Sequence, residues 1–459
     1  MEQSEREKSG ALQHYLSQIT SQIRCKKARP YVEEEISGHI EDQKNAYIQE
    51  EHMNPDEALA ESIRQMGDPV SIGVDMDRIH RPKPDWKLMI FIGIFSLLGL
   101  IVQYSAGICF HPQLSAADAF LSSVPSLMLR QACYMLVGFI AMAAIYFTDY
   151  THIGTYSRIL WWILFTSLLG TAKLSPTVNG SYPYLKIYGY LFVPLYGGIL
   201  YKSREKGLFS LLTCFLYALC PLLLFTYTIR SLRTSLSLAV IFLTLSIIAV
   251  AKGWFSLNRR RTLAVMTIGP LLCSVIWLFL AFRFGWLADY QKARILALFQ
   301  MIYDPQGISY ISTEIHKLME NWRMAGGSSE NISGILPGVP YDYIITFLFT
   351  SWGIIPGIAV LTGYGFLLFR IFRTSLHQSN CLGMIVGLGC SLALADQILC
   401  YMAANFGYIL LDPLSLPFLS YGFHTTVLTY ILMGILLSIY RYKDVIPEQK
   451  LRKKQLKGC

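Results

Sequence analysis

Long apolar runs with few charges recur along most of the chain, at about 86–107, 130–149, 157–173, 190–203, 207–227, 234–252, 262–284, 342–370, 383–405 and 424–441. A helix needs roughly 20 apolar residues to cross a hydrocarbon layer of about 30 Å. The pattern therefore predicts an all-α, polytopic membrane protein of about ten transmembrane helices. Several runs fall short of that length, 190–203 most clearly. Residues 1–82 follow another pattern. They carry many charges, and Tyr15, Ile19 and Ile23, then Tyr31, Ile36 and Ile40, recur at helical spacing. Asn54-Pro55-Asp56-Glu57 predicts a helix start, with Asn54 as N-cap, Pro55 in the first position and the acids at the positive end. Gly67 is a natural stop. These features predict a small soluble helical N-terminal domain over 1–82, a membrane domain over 83–445 and a basic tail over 446–459. For this prefix a regulatory or docking module and a passive solubilising cap are both open readings.

Composition agrees with lipid as the main solvent. The 459 residues are 53% hydrophobic and 15% charged, against about 25% charged in soluble domains. A net charge of +9 raises the question of nucleic acid, but the basic residues lie beside apolar runs and read as anchors for anionic lipid headgroups. Lys202, Arg204 and Lys206, then Lys252 and Arg259–Arg261, then Arg370 and Arg373, and the tail from Arg441 alternate with loops almost free of Lys and Arg. An even number of spans with both termini cytoplasmic fits that alternation. No apolar signal segment precedes the first span, which would act as its own insertion signal. The ten cysteines include no CxxC and no His/Cys cluster at metal-ligand spacing. Most lie in apolar runs as small hydrophobes. Cys109 and Cys133 flank one outside loop and form a candidate disulfide pair.

Residues 285–341 form the longest polar stretch after the first span, and long loops in compact domains are candidate functional elements. The loop leads into Leu336-Pro337-Gly338-Val339-Pro340-Tyr341-Asp342-Tyr343-Ile344. A carboxylate at the start of an apolar helix is costly unless paired, solvated or used; a plain helix cap is the other reading. Asp396-Gln397 lies inside an apolar run, where an acid is a functional hypothesis by default and a structural pairing with an Arg is the plainer one. His424 opens the last run, where a solvated interfacial histidine is the plain reading.

Three separated segments resemble the FtsW/RodA/SpoVE (SEDS) family. Asn179-Gly180 followed by Leu185, Gly189, Phe192 and Pro194 is similar to the family's Asn-Gly…Phe-Gln-Pro-Ser-Glu stretch. Leu336-Pro337…Asp342…Ile344 with Gly353 is similar to its Leu-Pro-Glu-Ala-His-Thr-Asp-Phe-Ile segment. Leu416-Pro417-Phe418-Leu419-Ser420-Tyr421-Gly422 is similar to its Leu-Pro-Phe-Ile-Ser-Tyr-Gly-Gly-Ser-Ser and is the most specific match. Gln397, Gly407 and the Arg294-Ile295-Leu296-Ala297…Asp304-Pro305 segment add to it. The order is kept and covers about 85–441.

The resemblance implies a peptidoglycan glycosyltransferase that polymerises lipid II at the outer face of the cytoplasmic membrane, beside a class B penicillin-binding protein. It places the catalytic role on Asp342, as general base toward the acceptor hydroxyl. Arg294, Lys186, Arg283, Arg230 and Arg233 are candidates for the anionic pyrophosphate or for headgroups; Ser420 is a candidate that shapes a turn. No metal ligand set or cofactor is evident, though a divalent cation could bridge the pyrophosphate. Several family acids are absent: Val193, Leu195 and Tyr196 replace Gln, Ser and Glu, Arg230 and Arg233 stand in another acidic motif, and Gly338, Pro340 and Tyr341 replace Glu, His and Thr. Phe423, His424 and Thr425 follow Gly422 where the family has Gly-Ser-Ser. A non-catalytic scaffold or regulator therefore stays open as an alternative, and a lipid-precursor flippase as a remoter one, since no internal repeat is visible.

Overall fold

The structure is a computed structural model that describes residues 2–110, 124–177, 182, 184–285, 310–327, 332–336, 338–408, 415–443 and 445. Every regular element among them is helical. The chain divides into two compact units.

The first unit contains Met1–Asp85, together with Gln378–Cys381 and the chain from Ile439. Its four N-terminal helices are α1 (Glu2–Gln22), α2 (Arg29–Glu50), α3 (Pro55–Met66) and α4 (Pro69–Ile79). The helical spacing becomes a core: Tyr15, Ile19, Ile23, Ile36 and Ile40 are all buried, with Val32 and Ala58. Asn54 takes the extended cap conformation before Pro55, without a side-chain bond, and Gly67 ends α3 at φ 88°. The Tyr15 hydroxyl donates to the Gly67 carbonyl at 2.9 Å, tying α1 to that turn. Burial of the phenol, reinforced by the charge of Asp68, raises its pKa.

The second unit spans Trp86–His377 and Leu382–Ser438. In chain order come α5 (Trp86–Phe110), α6 (Val124–Phe147), α7 (Thr151–Leu174), a 3₁₀ segment (Lys186–Leu191), α8 (Phe192–Lys202) and α9 (Leu208–Leu223), which runs on as a π turn (Leu224–Thr228). Then follow α10 (Leu232–Ala251), α11 (Arg259–Arg283), α12 (Tyr310–Glu320), the single turns α13 (Ile332–Ile335) and α14 (Val339–Asp342), α15 (Ile344–Ser351), α16 (Ile354–Leu376), α17 (Cys381–Asn405) and α18 (Phe423–Arg441). Seven helical stretches among the described residues are long and apolar enough to cross a membrane: α5, most of α6, α9 with its π turn, α10, α16, α17 and α18. At 24 and 25 residues, α7 and α11 also have the required length.

Two apolar runs depart from simple spans. The run at 190–203 becomes α8, whose 11 residues reach only about 16 Å. Residues 192–200 are all buried. Close backbone approach makes this burial workable: a Cβ on Gly198 would lie 2.8 Å from the Ile153 carbonyl oxygen, and one on Gly389 would lie 2.9 Å from Val193. The run at 342–370 breaks at Gly353, which adopts φ 101°. There the long loop returns: the Arg323 and Met324 carbonyls accept from Ile354 N and Ile355 N at 2.9 and 3.1 Å, satisfying first-turn donors of α16. Trp322 stacks on Phe349 at 4.5 Å and donates to Thr350 Oγ1. Cys133 is a free, exposed thiol, so the candidate disulfide with Cys109 is not made. Much of the loop and the basic tail fall outside the described residues.

Candidate active site

The segment Leu416–Gly422 forms a tight turn ahead of α18. Phe418 takes φ 68° and Gly422 φ 147°. Ser420 N donates to Leu416 O at 3.1 Å, while Ser420 Oγ accepts from Leu416 N at 2.8 Å. The Tyr364 hydroxyl donates to Pro417 O at 2.5 Å. The Phe418 ring packs edge-on against Phe95 and Tyr430. From α5, the Gln103 amide donates to both Leu419 O and Pro340 O. From α6, Gln131 accepts from Gly422 N at 3.2 Å and donates to Thr426 Oγ1. Helix α5 approaches so closely that a Cβ on Gly99 would lie 2.2 Å from the Phe418 carbonyl oxygen.

This turn holds the Asp342 segment. Tyr421 N donates to Pro340 O at 3.1 Å. Gly338, at φ 71°, opens the single turn α14, and its carbonyl accepts from Asp342 N at 2.9 Å. Asp342 is the last residue of that turn. The chain then breaks at Tyr343 before α15 begins.

A new helix start leaves its first N–H groups without intrahelical acceptors. Here α17 supplies them. The Tyr401 hydroxyl accepts from Ile344 N at 3.0 Å and donates to Tyr341 O at 3.2 Å. Asn405 Oδ1 accepts from Thr346 N and Thr346 Oγ1, both at 3.1 Å. The amide nitrogen of Asn405 donates to Asp342 O at 2.9 Å and to Tyr401 O at 3.0 Å. Asn405 is fully buried while Asp342 is only half-buried. The backbone of Asp342 is thus fixed by buried side chains of α17, while the residue itself is only partly covered.

Aromatic rings gather around Tyr341, next to Asp342 in the chain. Tyr341 meets Tyr421 at 5.3 Å, and Tyr134 meets Tyr421 and Phe423 at 6.0 and 5.4 Å. Tyr184 and Tyr188 pack on His424 at 5.4 and 5.5 Å, and the Tyr188 hydroxyl lies 2.5 Å from His424 Nδ1. Burial pushes the Tyr421 phenol up to about 12, with Tyr134 and Tyr341 adding to the effect and Arg130 opposing it. The Tyr341 phenol is raised for the same first reason, then by Tyr184, Tyr134 and Asp342, again against Arg130. Both phenols are neutral hydrogen-bonding groups at physiological pH.

The other sequence candidates scatter. Lys186 is half-buried at the head of the 3₁₀ segment that carries Tyr188 to the rim. Ser420 is 2% exposed, with its hydroxyl turned onto its own turn and toward Tyr401, so it positions the backbone. Arg230 is exposed at φ 57° just before α10, and Arg283 is exposed in the last turn of α11. Arg294 lies outside the described residues. Arg233 turns inward, 7% exposed, toward Tyr190 and Cys400. There Asp396 accepts from the Tyr190 hydroxyl at 2.5 Å, from Ser237 Oγ at 3.0 Å and from Cys400 Sγ at 3.7 Å. That cluster joins the 3₁₀ segment, α10 and α17, in line with structural pairing of the intramembrane acid.

Sequence reasoning passed over Arg130, Gln103, Gln131, Tyr401 and Asn405. Arg130 was hidden at the very start of an apolar run. Among the described residues no three His, Cys, Asp or Glu side chains converge on one point.

Fold and site together define a multi-pass helical membrane protein with a half-buried aspartate fixed through its backbone just ahead of α15. The chain belongs to the FtsW/RodA/SpoVE family, described as "Cell cycle protein", whose pattern it matches over residues 85–445. It is 24% identical over 378 residues to stage V sporulation protein E of Bacillus subtilis, covering 79% of this chain and 98% of that one. To the probable peptidoglycan glycosyltransferase FtsW of Neisseria gonorrhoeae it is 24% identical over 431 residues, covering 83% and 90%. Among solved structures, a protein from a peptidoglycan synthase complex that coordinates polymerization and crosslinking superposes with a TM-score of 0.59 at 18% identity, over 78% of this chain and 98% of that one. The rod shape determining protein RodA of Thermus thermophilus superposes at 0.53 and 15% identity, over 78% and 97%.

Proposed function

We propose that this chain is a peptidoglycan glycosyltransferase that polymerises lipid II at the outer face of the cytoplasmic membrane, with both termini cytoplasmic. One observation carries the reading: half-buried Asp342 is held through its backbone carbonyl by buried Asn405 and by the Tyr401-supported segment beside it. Preorganised placement of this kind is what a general base requires.

In the proposed step, a sugar hydroxyl of the acceptor attacks the anomeric carbon of the donor. The new C–O bond forms as the bond to the polyprenyl pyrophosphate breaks, and the pyrophosphate leaves with the electron pair. Asp342 takes the hydroxyl proton. A single displacement inverts the anomeric centre. Cations answer the charge of the leaving group; Arg130, within electrostatic reach of Tyr341 and Tyr421, and Lys186, on the rim segment, are the best placed.

The relative solved in a complex joining polymerization to crosslinking supports pairing with a crosslinking enzyme, a class B penicillin-binding protein. The acidic-rich helices α2 and α3 form a separate cytoplasmic module in this reading.

The test is lipid II polymerisation by the purified full-length chain, alone and with a verified penicillin-binding partner. Glycan strands support the assignment. Their absence with the partner present favours the non-catalytic scaffold.

A further inference from the structure

Tyr341 and His424 are aromatic where the related pattern carries Thr and Ser, and Phe423 where it carries Gly, and the structure links all three through one run of ring contacts. Tyr341, Tyr421, Tyr134 and Phe423 form an unbroken chain of ring contacts, with centroids 5.3–6.0 Å apart and interplanar angles of 62–86°. Tyr184 extends the wall through His424. Tyr341 is 44% exposed, Tyr184 61% and Phe423 38%.

Aromatic residues are common where membrane helices meet water, where each anchors its own helix. This set differs. Its members come from α6, the segment before the 3₁₀ turn, α14, the 416–422 turn and α18, and they meet around Tyr341, the residue next to Asp342. Pockets for small ligands have this make-up, with apolar and aromatic walls and a few placed polar groups. A pyranose presents a face of C–H bonds with partial positive charge, and an aromatic face is negative. Such a wall recognises a sugar ring by stacking, whereas acids and amides would recognise its hydroxyls.

We propose that this aromatic wall is the subsite for a pyranose ring of the lipid-linked sugar, with Tyr341 as its central member. The inference rests on the glycosyl-transfer reading for the identity of the sugar donor and acceptor. The wall fixes one saccharide unit against Asp342, and the replacement of polar residues by rings is a change of recognition mode.

The experiment measures binding to the full-length protein carrying Asp342→Asn, so that no turnover intervenes. Two probes are compared: polyprenyl pyrophosphate bearing the disaccharide, and the same lipid pyrophosphate without sugar. Tyr341→Ala should weaken binding of the sugar-bearing probe roughly tenfold and leave the bare lipid unchanged, since one lost stacking contact of about 1 kcal/mol or more approaches a factor of ten. Tyr341→Phe should restore binding. Tyr184→Ala, at a more exposed ring, gives a second reading should Tyr341→Ala fold poorly. If neither probe is affected, the rings are membrane anchors and the proposal fails. If both probes weaken equally, the wall does not read sugar and the proposal also fails. Sugar-dependent binding without polymerisation by the unsubstituted chain would retain the subsite and remove the enzyme reading.

Discussion

Asn405→Ala tests how Asp342 is held. Asn405 is fully buried, and its side chain caps the start of α15 while binding the Asp342 carbonyl. The substitution removes the acceptor for Thr346 N, a first-turn donor with no acceptor inside its own helix. An orphaned buried donor costs about 1–3 kcal/mol. The lost bond to Asp342 O adds about 0.6 kcal/mol, a typical value for a bond between membrane segments. The Thr346 hydroxyl keeps its 2.8 Å bond to the Asn405 carbonyl, which the substitution leaves intact. The total is about 2–4 kcal/mol, or roughly 2–4 °C in the melting temperature of the purified protein. Activity should fall further than stability suggests, because a displacement near 1 Å at a reacting group costs about 100-fold. Thermal unfolding in detergent and polymerisation at a temperature where the variant is folded measure the two effects separately. A variant that melts at the same temperature as the original and polymerises at the same rate would refute the capping argument and its link to Asp342.

Gly99→Ala drives a methyl group toward the Phe418 carbonyl. A backbone neighbour in a tight turn cannot swing aside, so it should cost about 1–3 kcal/mol and lower activity through Tyr421 and Pro340; an unchanged melting curve would contradict this. Asp396→Ala leaves the buried Tyr190 and Ser237 hydroxyls without their acceptor and should destabilise the bundle by about 2–4 kcal/mol. Its effect on rate, measured on the folded fraction, should be smaller than that of Asn405→Ala, because Asp396 joins elements away from Asp342.

The apolar runs foretold the spans because lipid demands internally bonded backbone over a fixed length. Length alone did not show where a run stays a single helix. The break at Gly353 depends on carbonyls of Arg323 and Met324, brought back by a distant loop. The 190–203 run is apolar because α8 is buried in protein, and hydropathy does not separate that from burial in lipid. Asp342 was legible as an acid at an apolar boundary, and the 416–422 segment as a turn. The residues that hold them, Gln103, Gln131, Tyr401 and Asn405, sit inside or at the ends of apolar runs, where a lone polar residue has no visible partner until the helices pack. Arg233 read as a rim cation by its position in the sequence, but α10 turns it toward Tyr190 and Cys400.

The central claim is that the Asp342 carboxylate takes the acceptor's proton. The most direct measurement compares lipid II polymerisation by the unsubstituted protein and by Asp342→Asn, each with the penicillin-binding partner and each shown to be folded and to bind lipid II. Asparagine keeps the shape and loses the base, so the rate should fall by about 10²–10⁴-fold with binding retained. Strand synthesis by Asp342→Asn at the original rate would place the base elsewhere and contradict the assignment.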